Sequence, residues 1–484
     1  MDVNQSQQFK HRIAFGVWIN DFRNDPLKHE DWPCVEIDTQ TQNDFKGMMK
    51  FLKENGFTAV DIFGFLANHD WPENVHEVVT DERKKTVRKL IKIAHENNLK
   101  VIYGLGVYSW GFDSIIKNNP AVRGTSLQAM CGSKKESRQY MRNVVDFVGE
   151  NFDFDGFHLE VADQGRCRCN LCSGETDVSY FNRLNRETAE YIRSRWPATF
   201  LLVNTSGYLP WGDTINPEEY ASVYELGKCI DVIIDGGNHG LFIAEEDRKM
   251  FIENLPCDYG TSGGFWVYPP QRWDRQRWFL PNFYHTAGHL EKLFMDGGRA
   301  CEIYLGPLLN PGMELTLWCI GNYIQDIRKN PTAVLHNAIE KLYRPKNHTY
   351  TFKLAEFIGQ AESAFFNNWS PMRQPGIPEE LSDGIQSLFA WSETKPERAT
   401  PGELFLEPLF GTHPGFPSYL VVHMTPGGRE NYKKTLLSLV KGIDEIANGF
   451  HEREKVHRIR TCIENVLHDI EAVRILQSSS QKKP

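Results

Sequence analysis

For its first 330 residues the chain alternates between two textures: short β-branched or aromatic runs, and segments whose apolar positions recur at helical spacing. The runs are 12–20 (RIAFGVWIN), 58–63, 100–107, 155–161, 199–204, 231–235, 258–267 and 299–305. Between and after them the spacing predicts helices over 42–55, 82–98, 134–151, 178–196, after Pro217, and over 244–254, 278–295 and 314–329. Gly56 is placed to end the first of these helices. Eight strand–helix pairs in series predict a parallel (β/α)8 barrel in the α/β class. An open doubly wound sheet is the alternative, but no glycine-rich phosphate fingerprint follows the first strand.

After Pro331 strand signals become scarce. Helices are expected over 332–343, 351–366, 431–446 and 456–476, with 372–400 as loop and 477–484 frayed. The domains expected are therefore a catalytic barrel over 1–330 and an α-helical region over 331–484.

Composition narrows the field. The 484 residues are 40% hydrophobic, enough for a large core, and 63 acidic against 54 basic residues give a net charge of −9. No basic tract marks a nucleic-acid partner, and no apolar run approaches the roughly 20 residues of a membrane span. The N-terminus carries no apolar leader stretch, so the expected location is the cytoplasm, or outside it after removal of a leader. Twelve Trp, 17 Tyr and 30 Phe, many beside Gly, Pro and Asn, suit the apolar faces of sugar rings as well as ordinary packing.

A barrel of this kind carries its active site at the C-terminal ends of the strands. There the first strand ends in Trp18-Ile19-Asn20-Asp21, with Asp21 as its first carboxylate. The fourth reads Asp155-Gly-Phe-His158-Leu-Glu160, and alternation puts His158 and Glu160 on one face, toward the barrel interior. Either Glu160 or Asp163 is then placed to raise the His158 pKa. Asn204 ends the fifth strand and Asp235 the sixth; Glu302 and Tyr304 lie in the eighth. The loop after the seventh run holds Trp266, Tyr268, Arg272, Trp273, Arg275, Arg277 and Trp278. One of these arginines, or Arg166, is a candidate fork for a substrate carboxylate.

Cys167, Cys169 and Cys172 follow the fourth strand closely, and Cys131 precedes it. Three thiols at this spacing, with Cys131 as a fourth, can hold a structural zinc; a disulfide or reduced thiols are the other readings. No other cofactor is expected.

The Asp ending the first strand, the Asp-Gly-Phe-His-Leu-Glu string and the Gly165-Arg-Cys-Arg-Cys-Asn-Leu-Cys172 run together resemble a group of (β/α)8 glycoside hydrolases with a helical C-terminal region. The resemblance spans roughly residues 10–345 and is nearest to the inverting exo-sialidases of glycoside hydrolase family 156. It implies His158 as Brønsted acid and Asp21 as Brønsted base in a single displacement. By their places at strand ends and in the loop after the seventh run, and not by the resemblance, Asn20, Glu160, Asn204, Asp235, Trp266, Arg272 and Arg275 are expected to line the substrate. The expected partner is a sialylated glycan or another glycoside, with a homodimer as a further expectation. Two alternatives stay open: hydrolysis of a uronic or neutral sugar by Glu160 and Asp235, and a barrel that binds carbohydrate without catalysis.

Overall fold

A computed structural model describes residues 7–24, 37–66, 70–109, 111–161, 165–205, 217–236, 245–262, 278–368 and 426–480. Eight parallel strands close a barrel in sequence order, with β8 paired back onto β1. They are β1 (His11–Trp18), β2 (Ala59–Gly64), β3 (Lys100–Gly106), β4 (Gly156–Glu160), β5 (Phe200–Asn204), β6 (Val232–Gly236), β7 (Asp258–Ser262) and β8 (Ala300–Tyr304). The helices are α1 (Thr39–Glu54), α2 (Asp81–Glu96), α3 (Asp113–Asn118), α4 (Lys135–Asn151), α5 (Asp177–Arg195), α6 (Pro217–Gly227), α7 (Glu245–Glu253), α8 (Phe283–Met295) and α9 (Pro311–Tyr323). The expected (β/α)8 barrel is present.

Local chemistry explains the element ends. Asp38 caps α1 by accepting from Thr41 N at 2.7 Å, and Phe45, Met48, Met49 and Leu52 form its buried stripe. Gly56 follows at φ 87°, the left-handed backbone that suits a helix end. Helix α8 begins at Phe283, five residues later than the spacing predicts, because the backbone before Pro281 resists helical dihedrals. Helix α9 starts three residues early, at Pro311, where the Asn310 side chain accepts from Gly312 N at 2.8 Å. Among the described residues the sequence pattern missed three short elements: α3 and 3-10 turns at Ile19–Phe22 and Val75–Glu77.

The chain separates into two compact units. The first comprises Met1–Arg23, Glu30–Trp266 and Gly288–Leu305 and contains the whole barrel sheet. At its N-terminal end, aspartates beside the strand starts tie neighbouring strands together. Asp155 accepts from Val101 N at 2.7 Å, Asp231 from Leu201 N at 2.8 Å, and Asp258 pairs with His11 at 2.8 Å.

The second unit comprises Asn24–His29, Val267–Ala287 and Gly306–Pro484. After α9 it holds α10 (Pro331–Tyr343), α11 (His348–Phe366), α12 (Pro426–Ala447) and α13 (Arg453–Ser480). Its fully buried Trp278 donates its indole N–H to Asp469 at 2.8 Å. Among the described residues no helix is long and apolar enough to cross a membrane.

Candidate active site

In an eight-stranded barrel of this type adjacent strands slip by about one residue, so residues at one height come from alternate strands. Following the observed registers, Ala59, Gly156, Val232 and Ala300 of β2, β4, β6 and β8 occupy one height. Ile13, Ile102, Leu202 and Gly260 from the odd strands sit above them. These two heights supply nearly all of the sealed apolar plug, which consists of Ile13, Ala59, Ile102, Leu202, Val232, Ile234 and Ala300.

The next height breaks the pattern. It consists of Asp61, His158, Ile234 and Glu302, so three of its four positions are ionisable. All three ionisable side chains are sealed, at 0% exposure. His158 Nδ1 donates to Asp61 Oδ2 at 2.6 Å and lies 3.4 Å from Glu302 Oε1. Its Nε2 is buried and has no hydrogen-bond partner among the described residues. Phe63 meets the imidazole edge-on, with ring centroids 4.9 Å apart, and Phe15 lies at 5.8 Å. The Phe63 ring occupies the space that a side chain on Gly104 would need, since a Cβ there would fall 1.9 Å from it. Glycine at position 104 therefore lets an aromatic ring close over the histidine.

Burial sets the electrostatics. It opposes charge on His158, but the attraction of Asp61 and Glu302 and their hydrogen bonds outweigh it and hold the imidazole pKa well above its usual value. Burial also pushes the Asp61 carboxyl up, to about 7; the pull of His158 resists this rise and the charge of Glu302 adds to it. The ring is thus gripped at Nδ1, and Nε2 is the nitrogen left without a partner among the described residues.

The same three groups lie close enough to ligate a cation. However, ligand atoms on one metal, with bonds of about 2.0–2.1 Å, stand about 2.9 Å apart or more. The 2.6 Å contact fits a shared proton better.

The carboxylates that reach His158 Nδ1 are therefore Asp61 and Glu302, whereas the sequence pattern gave this role to Glu160 or Asp163. Residues two apart on a strand share a face but stand roughly 6–7 Å apart, so alternation alone does not bring them into contact. Asp163 lies outside the described residues. Asp61 was missed, although it is the lone charge in an otherwise apolar strand, AVDIFG.

Other candidates fall at the C-terminal strand ends. Asp21 sits in the 3-10 turn after β1 and is 1% exposed. Glu160 and Asn204 are the last residues of β4 and β5 and are register partners. Glu160 faces the same side as His158, two residues nearer the rim. Tyr304 packs against Phe15 at 5.0 Å. Asn20 and Asp235 lie in described backbone, but their side chains lie outside the described residues, as do Trp266, Arg272 and Arg275 altogether.

Arg166 is not free to meet a substrate carboxylate. Its side chain is 2% exposed, pairs with Asp177 at 2.8 Å, bonds the Cys172 carbonyl and stacks 4.1 Å over Tyr180. Its loop, between β4 and α5, is also where the cysteines gather. Cys131, Cys167, Cys169 and Cys172 bring their sulfurs within 4.8 Å of one another.

No family model matches the chain, and no curated protein matches it. Among solved structures, a GH138 enzyme targeting pectin rhamnogalacturonan II aligns with 99% of this chain and 74% of its own, at 11% identity and a TM-score of 0.57. At that identity the likeness speaks for the barrel fold alone. An O-GlcNAc hydrolase mutant from Thermobaculum terrenum aligns over 98% and 97% of the two chains, also at 11% identity, with a lower TM-score of 0.46.

Proposed function

We propose that this chain is a glycoside hydrolase that uses His158 as proton donor and releases terminal sialic acid with inversion. The observation that supports this reading is the imidazole clamped at Nδ1 by Asp61, with Glu302 beside it, leaving only Nε2–H for a glycosidic oxygen. The clamp fixes the ring orientation, and the two carboxylates keep the acid form populated toward higher pH. Asp21, the buried carboxylate that follows β1, is the base for the attacking water. A sialoside carries its own carboxylate beside the anomeric carbon, so a carboxylate nucleophile there meets like-charge repulsion. A histidinium acid and one water-activating aspartate reduce that conflict. Inversion calls for roughly 6.5–9.5 Å between acid and base, to admit the water. The ring is sealed in this state, so the reading requires the groups above it to move when substrate enters.

A second reading rests on Glu160. It lies closer to the rim than His158 on the same face of β4, where a carboxylate can meet a sugar directly. In that case Glu160 and Asp235 act on a neutral or uronic sugar, and the Asp61–His158–Glu302 layer beneath tunes their field.

A panel of chromogenic glycosides bearing sialic acid, glucuronic acid, hexosamine or rhamnose separates the two. The proposal expects turnover of the sialoside, a first product of inverted anomeric configuration by NMR, and losses in kcat of roughly 10²-fold or more in both Asp21→Asn and His158→Ala. Turnover of only another sugar, abolished by Glu160→Gln, would establish the second reading. Retained anomeric configuration would refute single displacement.

A further inference from the structure

The cysteine cluster stands apart from the proposed acid and base, and its geometry is specific. Cys131 comes from the loop between α3 and α4; Cys167, Cys169 and Cys172 come from the loop between β4 and α5. Cys131 Sγ lies 3.6 Å from Cys169 Sγ and 3.6 Å from Cys172 Sγ, and Cys169 and Cys172 are 3.8 Å apart. A disulfide would bring a pair to about 2.05 Å. Four sulfurs on one zinc ion, each bonded at about 2.3 Å in a tetrahedron, stand about 3.8 Å from each other. The observed edges match the second arrangement.

The surroundings also suit thiolates. Cys131, Cys167 and Cys172 are buried and Cys169 is partly so. Thr125 N–H points at Cys167 Sγ at 3.5 Å, and Ser133 Oγ lies 3.3 Å from Cys172 Sγ. A zinc ion with four thiolates carries two net negative charges, and the buried Arg166 guanidinium sits against the same loop, hydrogen-bonded to the Cys167 and Cys172 carbonyls. The two loops approach so closely that a Cβ on Gly124 would fall 2.1 Å from Cys167 Sγ. Between Cys169 and Cys172 the chain turns tightly, with Cys172 N and Ser173 N both donating to Cys169 O. This turn aims both sulfurs the same way.

We infer that Cys131, Cys167, Cys169 and Cys172 hold one zinc ion as a closed four-thiolate centre that clasps the α3–α4 and β4–α5 loops together. Four protein ligands fill its coordination, so its role is architectural: it ties the segment before α4 to the loop that leaves β4, the strand that carries His158. The inference does not depend on which sugar, if any, the barrel cleaves.

The test is elemental analysis of the full-length protein, purified without chelator from zinc-supplemented cells, together with mass spectrometry of its thiols. The expected result is about one zinc per chain, with all four cysteines reduced and shielded from alkylation until the metal is removed. Replacement of zinc by cobalt(II) should give the visible absorption of tetrahedral thiolate coordination, a readout that needs no mutant. Cys131→Ser and Cys169→Ser should each lose most of the bound zinc and unfold at lower temperature. Metal-free protein with four freely alkylated thiols, or with a disulfide among the four, would overturn the inference. Iron in place of zinc would overturn the assignment of the metal.

Discussion

Two heights of the same barrel, two residues apart along β2, β4, β6 and β8, are built to opposite specifications. The lower carries Ala59, Gly156, Val232 and Ala300, small or apolar groups that need no partners. The upper carries Asp61, His158, Ile234 and Glu302, three of which must satisfy one another in the dark of the interior. The backbone is the same at both heights, and the registers that align one layer align the other. What differs is the consequence of burial. In the lower layer it contributes stability at roughly 25 cal/mol per Å² of apolar surface. In the upper layer it strips water from charges, and breaking such a pair typically costs about 3–5 kcal/mol. A fold that needed only stability would repeat the lower layer, because apolar replacement of a buried ion pair is often neutral or better. On the proposed function the polar layer serves the chemistry, and it lies on the C-terminal side of the plug, the side on which barrels of this architecture carry their active sites.

The contrast can be broken from either side. Leu202→Ala, in the apolar plug, should cost roughly 2–5 kcal/mol of unfolding free energy by denaturant titration. It should leave the pH dependence of turnover in place, since no titrating group loses a partner. A shifted pH profile in that variant would mean that the two heights are not separable.

An effect of a different kind is expected from Asp61→Asn. After the opposing cost of burial, the charge of Asp61 is the largest influence on His158, and it raises the pKa. Activity that needs the imidazolium is present below that raised value and is lost as the pH climbs through it. Removing the negative charge lowers the His158 pKa, so the alkaline limb of kcat/KM should move to lower pH, with the chain still folded. An unmoved limb would show that His158 is not the group titrating there.

Much of this architecture was legible in the sequence. Periodicity sufficed for the barrel because each strand is a compact apolar run and each helix carries its own stripe and cap. Glu82 and Asn98, for example, bracket α2 to within two residues. The His158–Glu160 face was legible for the same reason, since alternation along one strand is a local property. The partners of His158 were not, because Asp61 lies 97 residues away and Glu302 lies 144 residues away in the chain. Only the barrel's closure and stagger bring β2, β4 and β8 to one height. Arg166 was misjudged for a similar reason. A guanidinium near a strand end resembles a substrate anchor until its fold partners, Asp177 and Tyr180, are known. The cysteines were suggestive by spacing alone, but the proximity of Cys131 to the other three depends on how two loops meet.

The central claim is that His158 delivers a proton to a departing sugar oxygen, and leaving-group dependence tests it most directly. Wild type and His158→Ala would be compared on a series of aryl sialosides whose phenols span weak to strong acids. If His158 is the acid, the variant should lose roughly 10²-fold or more in kcat/KM with the poorest leaving groups and approach wild type with the most acidic phenol, which departs without protonation. An equal loss across the whole series would contradict the account and leave His158 as a buried element of the barrel's architecture.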